Sequence, residues 1–335
     1  MTHYSILDLV RIREGGDVRS ALDESRALAR HAESLGYTRF WVAEHHNMPG
    51  IASAATSVAI AHIAAGSDHI RVGAGGIMLP NHAPLVIAEQ FGTLASLFPG
   101  RIDLGLGRAP GTDQTTLRAL RRTPDSADQF PEDVVALQSY LGPAREGQRV
   151  IAVPGVGTQV PLWILGSSTY GAQVAAHYGL PYAFASHFAP TALDMALELY
   201  RDRFKPSEQQ ARPHAMVGVN IIAADTDRDA IRLATTQQMS FTDLFRQARG
   251  LSRPPIDDIE SYWTPAEKMQ AEHMLACSIV GSPQTVREGI AALLARTRAD
   301  ELMIVSDVFD VQARRHSYAL IAQAMREQSA VARSL

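Results

Sequence analysis

Three titratable residues stand together after an apolar run, where Glu44, His45 and His46 follow residues 40–43. A carboxylate beside two imidazoles could bind a metal ion, or one imidazole could transfer a proton as a general acid or base. Adjacent strand residues point to opposite sides, so Glu44 and His45 cannot both face one ligand while the strand continues. No H-x-H or H-x-x-x-H pair occurs in the sequence, which favours proton transfer; two hydrogen-bonded loop histidines are the structural alternative.

The bulk composition excludes several other classes of protein. The chain has 335 residues, 46% of them hydrophobic and 20% charged, with a net charge of −4. This weak acidity gives no electrostatic footprint for nucleic acid or anionic membranes, and no apolar stretch reaches the length of a membrane span. Cys277 is the single cysteine, which excludes an internal disulfide and a cysteine-based zinc site. We therefore expect a cytoplasmic protein.

Short apolar runs alternate with longer segments of helical period, the pattern of β/α units on a parallel sheet. Eight such runs occur, at residues 4–9, 39–44, 70–79, 101–109, 160–166, 181–188, 215–224 and 301–308. They predict one domain over residues 1–335, folded as an α/β protein of the (β/α)₈ barrel type, with a doubly wound sheet as the alternative. Residues 236–278 are too long for a simple crossover after strand 7 and predict an insertion, either a lid or a passive excursion.

Polar residues collect where the apolar runs end. In a (β/α)₈ barrel, the carboxyl ends of the strands carry the active site. The polar strand ends are Asp8, Glu44 to His46, Asn81 and His82, Arg108, Ser167 and Ser168, and His187. We therefore expect these side chains at one end of the barrel.

The end of the fifth run has the features of an anion site. Gly166 is followed by Ser167 and Ser168 and then by a helix, whose N-terminal N–H groups favour negative charge. Arg108 ends the preceding run, and a guanidinium suits bidentate phosphate binding. The alternatives are plain N-capping by a serine and a surface ion pair between Arg108 and Asp113.

Glycines interrupt the third run, at Gly73, Gly75 and Gly76. Glycine inside a strand marks a bulge or a close approach by a ligand or by backbone. A flat ring could lie against this strand, and dense packing inside the barrel is a second reading that is compatible with the first. A dinucleotide-binding turn is disfavoured because no helix opens from these glycines.

Four segments resemble the bacterial luciferase-like family of flavin-dependent monooxygenases, which fold as (β/α)₈ barrels. They are residues 40–47, 72–84, 88–108 and 165–181, and they occur in the same order and with the same separations as in that family. The similarity extends over most of the chain. The resemblance is to the single-subunit branch of the family.

The resemblance implies a role for each matching residue near a flavin. His45 would act in proton transfer, and we expect Glu44 or His46 to fix its orientation. Gly75 and Gly76 would lie against the isoalloxazine ring, joined by a non-proline cis peptide bond.

The same resemblance implies a phosphate site. Arg108 and the segment with Ser167 and Ser168 would hold the flavin phosphate, and Glu89 on the third helix would lie near it. Gly107 stands where luciferase has a reactive cysteine, so light-emitting aldehyde chemistry is not implied.

The expected function is therefore oxidation of a small organic substrate with reduced FMN as cosubstrate, through a peroxyflavin. A separate flavin reductase would supply the reduced FMN, because no second glycine-rich turn for a nicotinamide cofactor is evident. A deazaflavin is the alternative cofactor. A metal-dependent hydrolase using Glu44, His45, His46 and His187, and a non-catalytic flavin-binding protein, are the alternative functions.

Association is also expected from the pattern of apolar residues. The second and third helices, near residues 53–67 and 84–98, are apolar on more than one face. An outer helix of this kind needs a partner to cover it, which predicts a homodimer through helices 2 and 3.

Overall fold

The strands close into a parallel barrel. The computed structural model describes residues 2–109, 113–248 and 250–331. Strand β1 pairs with the last strand, β9, and β6 pairs with β7, which in turn pairs with β9, so the sheet closes. The barrel strands are β1 (His3–Asp8), β2 (Arg39–Val42), β3 (Arg71–Met78), β4 (Ile102–Gly107), β5 (Leu162–Gly166), β6 (Tyr182–Phe184), β7 (Ala215–Ala223) and β9 (Glu301–Val305). Each lies in one of the eight apolar runs, so the predicted (β/α)₈ barrel is confirmed.

One further strand was missed by the sequence pattern. Strand β8 (Ser278–Gly281) pairs with the last four residues of β7, and only the first of these, Asn220, also pairs with β9. It is short and only half buried, so it lacks the continuous apolar run that identifies a barrel strand.

Helices surround the barrel. They are α1 (Val18–Ser34), α2 (Thr56–Ala64), α3 (Pro84–Leu97), α4 (Gln114–Ala119), α5 (Phe130–Leu141), α6 (Thr169–Tyr178), α7 (Leu193–Arg203), α8 (Asp227–Phe245), α9 (Pro265–Met274), α10 (Pro283–Thr297) and α11 (Val311–Val331). Short 3₁₀ turns occur at Leu79–Asn81, Pro124–Gln129 and Ile259–Ser261. Among the described residues, no helix is both long enough and apolar enough to span a membrane.

Side chains that alternate along the strands build two separate cores. The outward-facing strand residues pack with the helices into one large cluster. The inward-facing residues form a second cluster inside the barrel, which includes Leu7, Trp41, Ala43, Trp163 and Met303. The rings of Trp41 and Trp163 meet edge to face, with their centroids 5.2 Å apart. The period of two along each strand therefore sets which residues can reach the centre of the barrel.

A buried ion network fills the amino-terminal end of the barrel. The Arg39 guanidinium lies 2.8 Å from carboxylate oxygens of both Asp103 and Glu301. Arg71 forms a second ion pair with Asp103, and both carboxylates are completely buried. Arg39 also lies 4.6 Å from the centroid of the Trp163 ring. These contacts close the barrel end opposite to the carboxyl ends of the strands.

The region expected as an insertion, residues 236–278, consists of the end of helix α8 and the segment that connects α8 to β8. Residues 236–245 continue α8, so the excursion consists of the described residues between α8 and β8, namely 246–248 and 250–277, hereafter the α8–β8 connection. Residue 249 lies outside the described residues. The connection contains α9, and its Tyr262 hydroxyl donates to Asp243 of α8 at 2.6 Å, while Arg246 binds Glu267.

We predict that the ion network makes folding stability depend on acid pH. Burial alone would raise the pKa of the Glu301 carboxyl, but His214, Arg39 and Ser5 hold that pKa at about 2. This stabilisation is present above the pKa of an unfolded glutamate and is lost as the pH falls from about 4.5 towards 2. Glu301→Gln should lower the free energy of unfolding at pH 7 by about 3 kcal/mol and flatten its dependence on acid pH, as measured by urea denaturation.

The exposed Glu208 supplies the matched control. Glu208→Gln should leave both the free energy of unfolding and its pH dependence unchanged. A Glu301→Gln protein as stable as the wild type at pH 7 would show that the network does not stabilise the barrel.

Candidate functional site

Gly75 and Gly76 lie at the centre of β3, where the strand is irregular. The register between β3 and β4 shifts between Ala74 and Ile77, and the Gly75–Gly76 peptide bond is cis, as the resemblance implied. A Cβ atom on Gly75 would lie 2.8 Å from Leu7, and one on Gly76 would lie 2.6 Å from the carbonyl oxygen of Gly105. Dense packing therefore requires glycine at both positions, in agreement with the second reading of this segment.

The Glu44 carboxylate joins the ends of β2 and β3. It is 1% exposed and lies 2.7 Å from His46 Nε2. His82 Nε2 lies 2.9 Å from both carboxylate oxygens. The Asn81 amide donates at 3.2 Å and the backbone N–H of Met78 at 3.0 Å. Glu44 thus holds two imidazoles, one from its own segment and one that follows β3.

These contacts set the charges of the cluster. Burial would raise the pKa of Glu44, but the hydrogen bonds from His46 and His82 bring it down to about 2. In return, the bond to Glu44 raises the pKa of His46 above its usual 6.5. Glu44 is therefore ionised at neutral pH, and its contact with Nε2 of His46 fixes the orientation of that ring.

The distances in this cluster are those of hydrogen bonds. Glu44, His46 and His82 have ligand-type atoms within 4.8 Å of one another and are the group that could hold a metal ion in the part of the chain described. Ligands around a tetrahedral zinc ion would stand about 3.3 Å apart, since each lies about 2.0–2.1 Å from the metal. The observed 2.7 and 2.9 Å separations are shorter and are those of direct hydrogen bonds between the carboxylate and the imidazoles.

His45 stands between Glu44 and His46 in the loop after β2 and is partly buried. His187, which follows β6, lies near enough for the charge of His45 to affect it. Burial and the charge of His45 lower the pKa of His187 to about 4, so this imidazole is uncharged at neutral pH.

The packing of β7 gives His187 its place. A Cβ atom on Gly218 would lie 2.4 Å from His187 Nδ1, so the absence of a side chain there admits the imidazole. Asn220, two residues further along β7, donates to the carbonyl oxygen of His187 at 2.6 Å. The histidine is therefore held at the carboxyl end of the barrel without joining the Glu44 cluster.

Arg108 and the start of α6 lie together, as expected from the sequence. The Arg108 guanidinium carbon is 4.4 Å from the centroid of the Tyr170 ring, and Tyr170 stands in the first turn of α6. The Ser168 side chain caps this helix by accepting from the N–H of Tyr170, and both Ser167 and Ser168 are exposed. A guanidinium beside an exposed helix N-terminus is a suitable arrangement for a phosphate group.

The partners of Arg108 differ from the expected surface pair. Its guanidinium donates to the carbonyl oxygen of Ala127 at 3.2 Å and to Asp128 at 3.4 Å. Asp113 instead caps α4 and accepts from the Asn47 amide. The alternative of a surface ion pair with a nearby acid is therefore present, with Asp128 as the partner in place of Asp113, which caps α4.

Gly166 and Glu89 are the other two residues predicted near the flavin phosphate. Gly166 lies against α6, since a Cβ atom there would come within 3.2 Å of the Tyr182 hydroxyl and 3.3 Å of Gly171. Glu89 is half buried on α3, and among the described residues no hydrogen bond or ion pair joins its carboxylate to Arg108. A role for Glu89 at the phosphate site stays a prediction.

The α8–β8 connection covers part of this barrel end. Ser252 exchanges backbone hydrogen bonds with the segment after β1, at 2.8 Å to both Ile12 and Glu14. Gly50, which follows β2, is so close to Gly250 that a Cβ atom would lie 2.0 Å from the Gly250 oxygen. The connection therefore packs against the loops that leave β1 and β2 on the side of the candidate site.

We predict that Glu44 controls the protonation of His46. Glu44→Gln removes the negative charge that raises the pKa of His46, so that pKa should fall towards its ordinary value of 6.5. The measurement is a pH titration of the histidine ring signals by NMR. The signals of the exposed His69 serve as the internal control and should not change, whereas an unchanged His46 titration would refute the assigned contact.

Comparison with known proteins places the chain in a family. Residues 2–301 match the family model described as luciferase-like monooxygenase. A "Luciferase-like monooxygenase" of Escherichia coli (strain K12) is 52% identical over 325 residues, which cover 97% of each chain. An "N-acetyl-S-alkylcysteine monooxygenase" of Bacillus subtilis (strain 168) is 30% identical over 97% of this chain and 98% of its own.

Solved structures show the same fold. The crystal structure of apo-MsnO8 superposes with a TM-score of 0.86 at 32% identity and covers 97% of this chain and 99% of its own. The FMN complex of the oxygenating constituent of 3,6-diketocamphane monooxygenase from Pseudomonas putida has a TM-score of 0.70 at 17% identity, covering 96% and 97% of the chains. An F420-dependent secondary alcohol dehydrogenase has a TM-score of 0.68 at 15% identity, covering 97% and 99%. From its sequence and its fold, the chain belongs to the luciferase-like monooxygenase family.

Proposed function

We propose that this enzyme uses reduced FMN and molecular oxygen to oxidise a small organic substrate. The observation that carries the proposal is that the cluster of Glu44, His46 and His82 and the contact between Arg108 and the start of α6 lie at the same end of the barrel. Arg108 beside the N-terminus of α6 suits one terminal phosphate.

FMN is the proposed form of the cofactor. One guanidinium at one helix N-terminus matches the single phosphate monoester of FMN. The diketocamphane enzyme is a complex with FMN and the alcohol dehydrogenase depends on F420, so a flavin-type cofactor is common to both. A bound flavin supplies oxygen activation, and a separate reductase would deliver it in the reduced form.

The chain's own residues would position groups and hold protons. His45, whose charge acts on the buried His187, is the proposed general acid or base. Glu44 orients His46 and keeps its pKa raised, so His46 is the second candidate for that role. His82 completes the pair of imidazoles on Glu44.

We further propose that the α8–β8 connection acts as a lid over the bound flavin. Its hydrogen bonds to the loop after β1 and its close packing on Gly50 support this proposal. A lid at this place would exclude water while the oxidation proceeds.

The substrate is proposed to be a small organic molecule that accepts one oxygen atom. The Bacillus subtilis relative is named for S-alkylated cysteine, and the diketocamphane enzyme for a ketone. Thioethers and cyclic ketones are therefore the first classes to test for turnover.

Two variants separate catalysis from cofactor binding. His45→Ala should bind FMN as the wild type does and lose turnover by about 10²–10⁴-fold, the usual effect of removing an acid or base. Arg108→Ala should weaken FMN binding because it removes the charge next to the helix N-terminus. Turnover is measured as product formation from thioethers and ketones with reduced FMN. FMN affinity is measured by titration with FMN.

The exposed residues His69 and Arg145 provide controls of matched chemistry. His69→Ala and Arg145→Ala should retain both turnover and FMN affinity. Full turnover by His45→Ala would remove His45 from the mechanism, and unchanged FMN affinity in Arg108→Ala would remove the phosphate site.

We also propose a homodimer through α2 and α3. Val58 on α2 is 69% exposed, and on α3 the exposure of Leu97 is 61% and that of Val86 is 44%. A second copy would cover these apolar side chains. Light scattering should give twice the monomer mass of 36.4 kDa, and Val58→Glu with Leu97→Glu should halve it; a monomeric wild type would contradict the proposal.

A further inference from the structure

The Arg108 side chain rests on an aromatic ring. Its guanidinium carbon lies 4.4 Å from the centroid of Tyr170, within the range of a cation–π contact. A planar guanidinium stacked on a ring keeps its N–H groups directed along its own plane. The ring can therefore set the direction in which Arg108 offers its hydrogen bonds.

The backbone beneath Tyr170 is firmly held. The Tyr182 hydroxyl donates to the carbonyl oxygen of Ser168 at 3.0 Å, which ties the start of α6 to β6. Gly166 and Gly171 allow β5 and α6 to pack closely, since a Cβ atom on Gly171 would lie 3.3 Å from the Cα atom of Gly166. Tyr170 is therefore attached to a part of the barrel whose position is fixed by packing.

Arg108 makes two further contacts, with Asp128 and with the carbonyl oxygen of Ala127. The Asp128 side chain is 75% exposed and its oxygen is 3.4 Å away, and such surface ion pairs contribute little. The bond to the carbonyl oxygen of Ala127, at 3.2 Å, leaves other guanidinium N–H groups to bind an anion. Tyr170 is thus the aromatic support of a side chain that is itself 41% exposed.

We propose that Tyr170 is a positioning residue that holds Arg108 towards the N-terminus of α6 and thereby makes the site prefer a flavin with a phosphate over one without. The proposal rests on the flavin-dependent function proposed above. It assigns to Tyr170 no contact with the flavin ring, so its effect must pass through Arg108.

The pair FMN and riboflavin tests this role, because the two differ only by the phosphate. Tyr170→Leu should weaken FMN binding about two- to fivefold, the size of an exposed cation–π contact, and leave riboflavin binding unchanged. Tyr170→Phe keeps the ring and should bind both flavins as the wild type does. Tyr178→Leu, at the opposite end of α6, is the matched control. Dissociation constants from fluorescence quenching give all these values.

A double-variant cycle shows whether Tyr170 acts through Arg108. In the Arg108→Ala background, Tyr170→Leu should cause no further loss of FMN affinity, because the side chain that it positions has gone. An equal loss in both backgrounds would overturn the proposal.

Other results of the FMN and riboflavin titrations separate a failure of the Tyr170 role from a failure of the phosphate site. Equal weakening of FMN and riboflavin, or no weakening of either, would show that Tyr170 does not position a phosphate ligand. A wild-type protein that binds FMN no better than riboflavin would refute the phosphate site itself, and with it the role of Tyr170. If wild-type FMN preference is intact and only the Tyr170 variants behave otherwise than expected, the flavin function stands and the positioning role falls.

Discussion

The arrangement of the barrel mouth depends on the hydrogen bonds of the Glu44 carboxylate to His46 and His82. This carboxylate is buried, ionised and bound by side chains from the ends of both β2 and β3. One carboxylate therefore sets the orientation of both His46 and His82.

The two ends of the barrel use buried charge in different ways. At the amino-terminal end, Arg39 is shared by Asp103 and Glu301, which closes the interior with opposite charges in balance. At the carboxyl-terminal end, the charges of Glu44 and Arg108 stand apart, one among imidazoles and the other beside an exposed helix N-terminus. This separation is the arrangement that the proposed proton transfer and the proposed phosphate binding would use.

The sequence predicted what depends on local pattern. Continuous apolar runs identified the eight barrel strands, and the Gly75–Gly76 segment was identified by its resemblance to a known family, with the expected cis bond present. Strand β8 was missed because it is short and half buried. His82 was noted as a polar strand end, yet its bond to Glu44 joins residues 38 positions apart and no spacing within one segment reveals it. The contact between Arg108 and Tyr170 was missed for the same reason, since it joins different β/α units.

We propose that the carboxyl end of the barrel binds FMN through the phosphate of FMN, at Arg108 and the N-terminus of α6. Titration of the cofactor-free protein with FMN and, separately, with the deazaflavin F420, followed by flavin absorption for the oxidised and reduced forms, tests it most directly. We expect saturable binding of one FMN per chain, an FMN affinity that inorganic phosphate lowers by competition, and weaker binding of F420 than of FMN. An FMN spectrum that does not change on addition of protein, or tighter binding of F420 than of FMN, would contradict it.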